Sequence, residues 1–142
     1  MVYTLHSRGT KAQASIEYVT VIALLLLALG PILYFGYRDL VTKNSVAQAS
    51  AVVKQIASTA DQVRAQGQGS RLVIQIRMPE NVESASVSGR EVMLKVRTAG
   101  GGLSDAFSIS NANLTGSLPL AAGVYYINVS VLDNGTVWVA PV

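Results

Sequence analysis

An uncharged stretch of 20 residues, from Tyr18 to Tyr37, constrains what this chain can fold into more than any other feature. As an α-helix it would span about 30 Å, the thickness of the hydrocarbon core of a bilayer. The basic residues Arg8 and Lys11 precede it with no acidic residue among them, and the basic residues that follow it are partly balanced by an acid. This pattern predicts a transmembrane helix with its N-terminal side in the cytoplasm and the bulk of the chain outside. The alternative, a buried core helix, is usually shorter and carries a polar stripe.

An ordinary cleaved secretory signal fits this segment poorly. Such a signal needs two small residues, spaced one apart, just after its apolar core. The nearest match, Ala28-Leu29-Gly30, is followed by Pro31, and Ala47-Gln48-Ala49 lies too far downstream. The well-placed break in the pattern lies ahead of the run, between Ala12 and Gln13. A cut there would remove a basic leader, residues 1–12, and leave the apolar segment on the mature chain.

The residues around that break form a motif. Residues 11–18 read KAQASIEY and lead straight into the apolar run. This stretch resembles the class III signal peptide of archaeal type IV pilin-like proteins, in which a membrane prepilin peptidase cuts ahead of a glutamine. The family pattern of basic, small, Gln, x, Ser, x, Glu and aromatic residues falls on Lys11, Ala12, Gln13, Ser15, Glu17 and Tyr18. The resemblance covers about the first 40 residues closely and the layout of the whole chain loosely.

The resemblance implies a role for Glu17 in assembly. Cleavage would leave a positively charged α-amino group on Gln13, one helical turn from Glu17. In a filament, the resemblance implies that Glu17 meets the α-amino group of a neighbouring subunit, because an unpaired carboxylate among apolar helices costs several kcal/mol. The alternative is that Glu17 only caps its own helix at the membrane interface.

The helical pattern continues beyond the apolar run. Gly30-Pro31 predicts a kink or a local melt, because proline removes a helical hydrogen bond and clashes with the preceding turn. Apolar residues then recur at spacings of three and four and mark one buried face: Ala49, Val53, Ile56, Ala60 and Val63. We expect a helix over residues 13–66, with an apolar half at 18–37 and an amphipathic half at 38–66.

The remaining residues, 71–142, predict a β head. β-Branched and aromatic residues alternate with polar ones there, which indicates about six or seven short antiparallel strands. Asp133-Asn134-Gly135 predicts a hairpin, and Ser88-Gly89-Arg90 predicts a second turn. We therefore expect an α+β fold, in which the long N-terminal helix packs on a small antiparallel β-sandwich-like head, or on a single curled sheet, and completes its core. Three aromatic residues of the head are expected to pack in that core and across strands, and the alternative is that they form sugar-stacking sites: Tyr125, Tyr126 and Trp138.

Three Asn-x-Ser/Thr triplets occur in the head, beginning at Asn113, Asn128 and Asn134. Each is a candidate N-glycosylation site if the head lies outside the cell, although such triplets also arise by chance. Asn134, at a predicted hairpin tip, is expected to be the most accessible. Asn113 lies in a predicted loop, and Asn128 lies in the middle of a predicted strand.

The composition argues against an enzyme. The chain has no cysteine and a single histidine, His6, which excludes disulfides, thiolate sites and multi-histidine metal sites. The acidic residues Glu80, Glu83 and Glu91 lie around a turn and are expected to be solvated rather than to hold a cation. The formal charge is only +3, without a basic block, so nucleic acid is not an expected partner. We expect no catalytic residues, no metal and no cofactor.

These features together predict a structural subunit of an archaeal type IV pilus-like filament. Its expected partners are copies of itself, the prepilin peptidase and pilus assembly machinery, and the membrane before assembly. By family resemblance the filament would serve adhesion or surface attachment at the cell surface. The alternatives are a single-pass membrane-anchored β-domain that binds a partner, or a minor or assembly pilin.

Overall fold

The fold is known from a computed structural model, which describes the backbone from Gly9 to Val142 and the side chains from Ser15 onward. One helix precedes five strands: α1 (Gly9–Gln66), β1 (Arg71–Met78), β2 (Val82–Arg97), β3 (Leu103–Gly116), β4 (Gly123–Val131) and β5 (Val137–Pro141). The chain divides into two units with the boundary inside α1, after Asp39.

The first unit, described over residues 9–39, consists of the N-terminal part of α1. Every side chain from Ser15 to Tyr37 is exposed. Near the end of the apolar run, the rings of Tyr34 and Phe35 meet edge to face with centroids 5.8 Å apart, and the Arg38 guanidinium lies 5.6 Å from the Tyr34 ring centroid. Aromatic and basic side chains at the end of an apolar helix are typical of a membrane–water interface.

The second unit, residues 40–142, packs the rest of α1 on a five-stranded sheet of order β1-β4-β5-β3-β2. The strands pair in antiparallel fashion except β3 and β5, which are parallel. β5 lies between β3 and β4, which run in opposite directions, so it has to be parallel to one of them. The predicted α+β class is confirmed, and of the two expected forms of the head the structure has the single sheet.

β2 folds back on itself. The backbone N–H of Arg97 donates to the Asn81 carbonyl at 2.8 Å, and Arg97 Nη2 lies 2.9 Å from Glu83 Oε2. An extended strand of 16 residues would separate these ends by about 50 Å. Gly89, midway between Asn81 and Arg97, has φ +62°, and the pairing with β3 shifts register between Gly89 and Glu91. The chain therefore reverses at Gly89, where the sequence predicts its second turn.

The core lies between α1 and one face of the sheet. The small-residue face predicted from the sequence is confirmed, because all five of its members are fully buried: Ala49, Val53, Ile56, Ala60 and Val63. Alternate residues of the strands cover them, including Val92, Leu94, Leu114, Ile127, Val129, Val137 and Val139. The helix and the sheet therefore share one core, as expected for a head of this size.

The predicted hairpin at Asp133-Asn134-Gly135 is confirmed. β4 and β5 pair in antiparallel register from Val131 opposite Val137. The connecting turn is closed by a hydrogen bond of 2.8 Å from the Leu132 N–H to the Thr136 carbonyl, and Gly135 adopts φ +76°. Glycine takes this backbone conformation without steric cost, which is why an Asn-Gly pair suits the turn.

Candidate functional site

The most unusual surface of the described chain is the apolar segment of α1, residues 15–37. Its large hydrophobic side chains are between 40% and 73% exposed. Contiguous apolar surface of this extent is rare on a soluble monomer and marks a contact with lipid or with another protein. By length and composition, α1 is a helix that can cross a membrane.

Glu17 is the one charged residue of this segment. Its side chain is exposed, and among the described residues it has no hydrogen-bond or ion-pair partner. The hydroxyl group of Thr20, three residues further along the helix, has a partner of its own, since Thr20 Oγ1 donates to the Ile16 carbonyl at 2.8 Å. That hydroxyl is satisfied within its own helix, whereas the Glu17 carboxylate has no such partner among the described residues.

The predicted processing site lies at the limit of the described structure. Ala12 and Gln13 belong to the backbone of α1, but their side chains lie outside the described residues, as do residues 1–8 with His6. Cleavage between Ala12 and Gln13 stays a prediction. α1 continues as a helix through Gly30 and Pro31, so the predicted local melt is absent from this structure, while the kink stays a prediction.

The three Asn-x-Ser/Thr triplets occupy different structural positions. Asn134 is exposed in the β4–β5 turn, and its Oδ1 accepts the Thr136 N–H at 2.9 Å. Asn113 is exposed within β3, which corrects its predicted place in a loop. Asn128 lies in the middle of β4, half-buried, and its Oδ1 accepts from Arg71 Nε at 2.8 Å.

The aromatic residues of the head do not all lie in the core. Tyr125 packs against the core, as predicted. Tyr126 and Trp138 are 57% and 42% exposed, so the prediction that they pack in the core is wrong for these two residues, while their packing across strands stays a prediction. They lie on the outer face of the sheet, the face opposite α1, because each is offset by one residue from a buried neighbour on its strand. Alternate side chains of a strand point to opposite faces of the sheet, and the alternation alone does not say which of the two sets faces the helix.

A polar cluster that sequence reasoning missed connects α1 to β3. Asp61 Oδ1 accepts hydrogen bonds from Ser110 Oγ at 2.6 Å and from the backbone N–H groups of Asn111 and Ala112 at 2.7 and 3.2 Å. Arg64 donates to the Asn111 carbonyl. Burial raises the pKa of Asp61, but these hydrogen bonds and the nearby Arg64 charge outweigh it, so the pKa lies below its ordinary value of 3.8.

The acidic residues of the head do not converge. Glu83 pairs with Arg97, and both side chains are exposed to solvent. From Ser15 onward, no group of three or more His, Cys, Asp or Glu side chains is placed to hold a metal ion. An open hollow of about 380 Å³ beside the end of α1 is lined by polar groups, including Gln68, Asn113 and Asn134.

Comparison of the chain with family models, with curated proteins and with solved structures found no significant match. Its function is therefore inferred from its own residues and their geometry.

Proposed function

We propose that this chain is a structural subunit of an archaeal type IV pilus-like extracellular filament, which polymerises through its N-terminal helix. The observation that carries the proposal is the exposed apolar segment, residues 15–37, which has Glu17 close to its N-terminal end. A segment of this kind requires an apolar surrounding on all sides of the helix. Lipid supplies that surrounding before assembly, and the helices of neighbouring subunits supply it afterwards.

Glu17 favours a filament over a simple membrane anchor. A carboxylate at the start of an apolar helix is costly to bury without a partner, and the described residues give Glu17 none. Cleavage between Ala12 and Gln13 would create an α-amino group that is positively charged near neutral pH. In the filament this amine, carried by a neighbouring subunit, pairs with Glu17. The pairing gives each arriving subunit a fixed axial position, since it satisfies two charges at one place.

The second unit would then form the surface of the filament. Its core is shared between α1 and the sheet, which leaves the outer face of the sheet open to contact the surroundings. Adhesion or attachment to surfaces is the use we propose for a filament of such subunits. A minor or assembly subunit would be built in the same way and differ in abundance.

A second candidate function is that of a single-pass membrane protein whose β-domain binds a partner. The observation that favours it is the apolar character of the outer face, where Phe107, Tyr126 and Trp138 are 59%, 57% and 42% exposed. Such a protein would keep residues 1–12 and would remain in the membrane fraction.

The deciding experiment measures the intact mass and the N-terminal sequence of the chain in two fractions, filaments sheared from the cell surface and the membrane pellet. We expect chains that begin at Gln13 in the sheared fraction. Chains that begin at Met1 and stay in the membrane pellet would contradict the filament and favour the anchored binding protein.

A pair of matched variants controls this experiment. Ala12→Lys places a bulky charge directly before the predicted cut and should leave the chain uncleaved and in the membrane pellet. Ala65→Lys makes the same substitution at an exposed position near the other end of α1 and should leave both cleavage and shearing unchanged. Cleavage of both variants alike would contradict the processing site.

A further inference from the structure

The tip of the β4–β5 hairpin holds an asparagine in a conformation that suits chemical modification. Asn134 is exposed, and the backbone N–H of Thr136, the third residue of its triplet, donates to Asn134 Oδ1 at 2.9 Å. This bond fixes the side-chain amide of Asn134 by its oxygen. Among the described residues, none accepts a hydrogen bond from its Nδ2, so the nitrogen faces solvent unengaged.

This geometry bears on the reactivity of the amide nitrogen. An amide nitrogen is a poor nucleophile because its lone pair is delocalised into the carbonyl group. When Nδ2 loses a proton, negative charge develops on Oδ1, and a hydrogen-bond donor already placed on that oxygen stabilises it. Asn134 has such a donor within its own Asn-Gly-Thr triplet.

The turn is also accessible to an enzyme. It lies outside both flanking strands, and it is held by backbone hydrogen bonds from Leu132 to Thr136 and from Gly135 to Leu132, at 2.8 and 2.9 Å. One exposed side chain, Gln68, also donates to the Asp133 carbonyl at 2.8 Å. A hairpin tip of this kind opens at little cost, while the strands stay paired. The hollow of about 380 Å³ beside Asn134 gives room for a first sugar residue against Gln68.

The other two triplets lack these properties. Asn128 is half-buried in mid-strand and is held by Arg71, and the residues of its triplet pair with β1 and β5. Asn113 is exposed, but Thr115 of its triplet lies between two strands, opposite Ser88 on β2 and Trp138 on β5. An enzyme that binds all three residues of a triplet would have to disrupt the strand pairing at Asn113 or at Asn128.

We infer that Asn134 is the N-glycosylation site of this chain and that Asn113 and Asn128 remain unmodified. The donor is a glycosyl phosphate or diphosphate, such as a lipid-linked oligosaccharide. A bond forms between Nδ2 and the anomeric carbon of the first sugar, and the bond from that carbon to the phosphate oxygen breaks. The phosphate leaves with the bonding electrons, and the proton lost from Nδ2 passes to solvent. The inference rests on the proposed function in one respect, namely that the second unit lies outside the cell.

The test is mass spectrometry of glycopeptides from the full chain recovered from its own cells, with the N-terminus determined on the same sample. The chain has no Lys or Arg after Arg97, so trypsin leaves all three triplets on one peptide. Chymotrypsin, cutting after Tyr126, separates Asn113 from the others, and cleavage before Asp133 separates Asn134 from Asn128. We expect the added mass of whole sugar units on the peptide that begins at Asp133 and on no other.

Variants identify the residue and the role of the triplet. Asn134→Gln and Thr136→Ala should each lose all of the added mass, whereas Thr136→Ser should keep it because it retains the hydroxyl. Asn113→Gln and Asn128→Gln should leave the added mass unchanged. Loss of the mass in either of these two, with retention in Asn134→Gln, would overturn the assignment.

The two measurements separate this inference from the proposed function. Sugar on Asn134 in chains that begin at Met1 would support the modification and contradict pilin processing. A bare Asn134 in chains that begin at Gln13 would overturn the modification and leave the filament intact. A bare Asn134 in chains that begin at Met1 would overturn both.

Discussion

Asp61 of α1 and Ser110 of β3 form a polar contact between the helix and the sheet, with Ser110 Oγ 2.6 Å from Asp61 Oδ1. The register shift between β2 and β3 leaves residues 110–113 of β3 without ladder partners among the described strands. Asp61 also accepts the N–H groups of Asn111 and Ala112 in this stretch. The carboxylate therefore accepts hydrogen bonds that a neighbouring strand would otherwise accept, which accounts for a charged side chain beside the core.

The first prediction concerns the dependence of stability on pH. Since hydrogen bonds lower the pKa of Asp61 in the folded chain below its ordinary value of 3.8, its contribution to stability is present above that value and is lost as pH falls through the folded pKa. We expect Asp61→Asn to lower the free energy of unfolding at pH 7 by about 1–3 kcal/mol and to flatten the acid-side decline. Denaturant unfolding of the detergent-solubilised chain, followed by circular dichroism from pH 7 to pH 2, measures both.

Asp105→Asn is the matched control for this prediction. Asp105 is an exposed carboxylate on the same strand, β3, and its substitution should change the free energy of unfolding by no more than about 0.5 kcal/mol. Equal effects of the two substitutions would contradict the role assigned to Asp61.

The second prediction concerns Gly116, where β3 passes very close to β5. Gly116 has φ +146°, and a Cβ atom built on it would lie 1.8 Å from the Val139 carbonyl oxygen. Gly116→Ala should therefore force the two strands apart and lower the free energy of unfolding by at least about 3 kcal/mol. Gly100→Ala is the control, since a Cβ atom there meets nothing within 4 Å. A thermal unfolding midpoint for Gly116→Ala close to that of Gly100→Ala would show that the strands are not so closely apposed.

The third prediction tests whether α1 and the sheet share one core. Ile56 is fully buried against the sheet, and we expect Ile56→Ala to lower the free energy of unfolding of the second unit by about 2–5 kcal/mol. Lys54→Ala, two residues earlier on an exposed part of the same helix, should have an effect below about 0.5 kcal/mol. Hydrogen exchange of the β4 amides reports the same difference locally, and unchanged protection in Ile56→Ala would contradict a shared core.

Much of the fold follows from local sequence patterns. The spacing of Ala49, Val53 and Ile56 predicts the buried face of α1, and Asn134-Gly135 predicts the last hairpin, because each depends on residues close in the chain. The position of β5 between β3 and β4 depends instead on contacts across the sheet, which a local pattern does not encode.

The residues of the candidate sites also differ in whether the local sequence predicts them. The exposure of Asn134 follows from its turn, and the exposure of Glu17 follows from its place in an apolar segment. Asp61 and Ser110 are 49 residues apart in sequence, and nothing in the pattern around either residue indicates the other. Trp138 lies outside the core, contrary to the prediction from the sequence, since strand alternation leaves open which of the two faces meets the helix.

The fourth prediction tests the role proposed for Glu17. Glu17→Gln keeps the shape of the side chain and removes the charge that would pair with the α-amino group of a neighbouring subunit. Because an uncompensated charge in an apolar surrounding costs several kcal/mol, we expect the yield of sheared filaments to fall by at least about tenfold, while cleavage before Gln13 and insertion into the membrane are retained. Glu80→Gln, an exposed carboxylate of the second unit, should leave the filament yield unchanged. Full filament yield from Glu17→Gln would mean that the carboxylate only caps its own helix, and loss of cleavage would assign it to peptidase recognition instead.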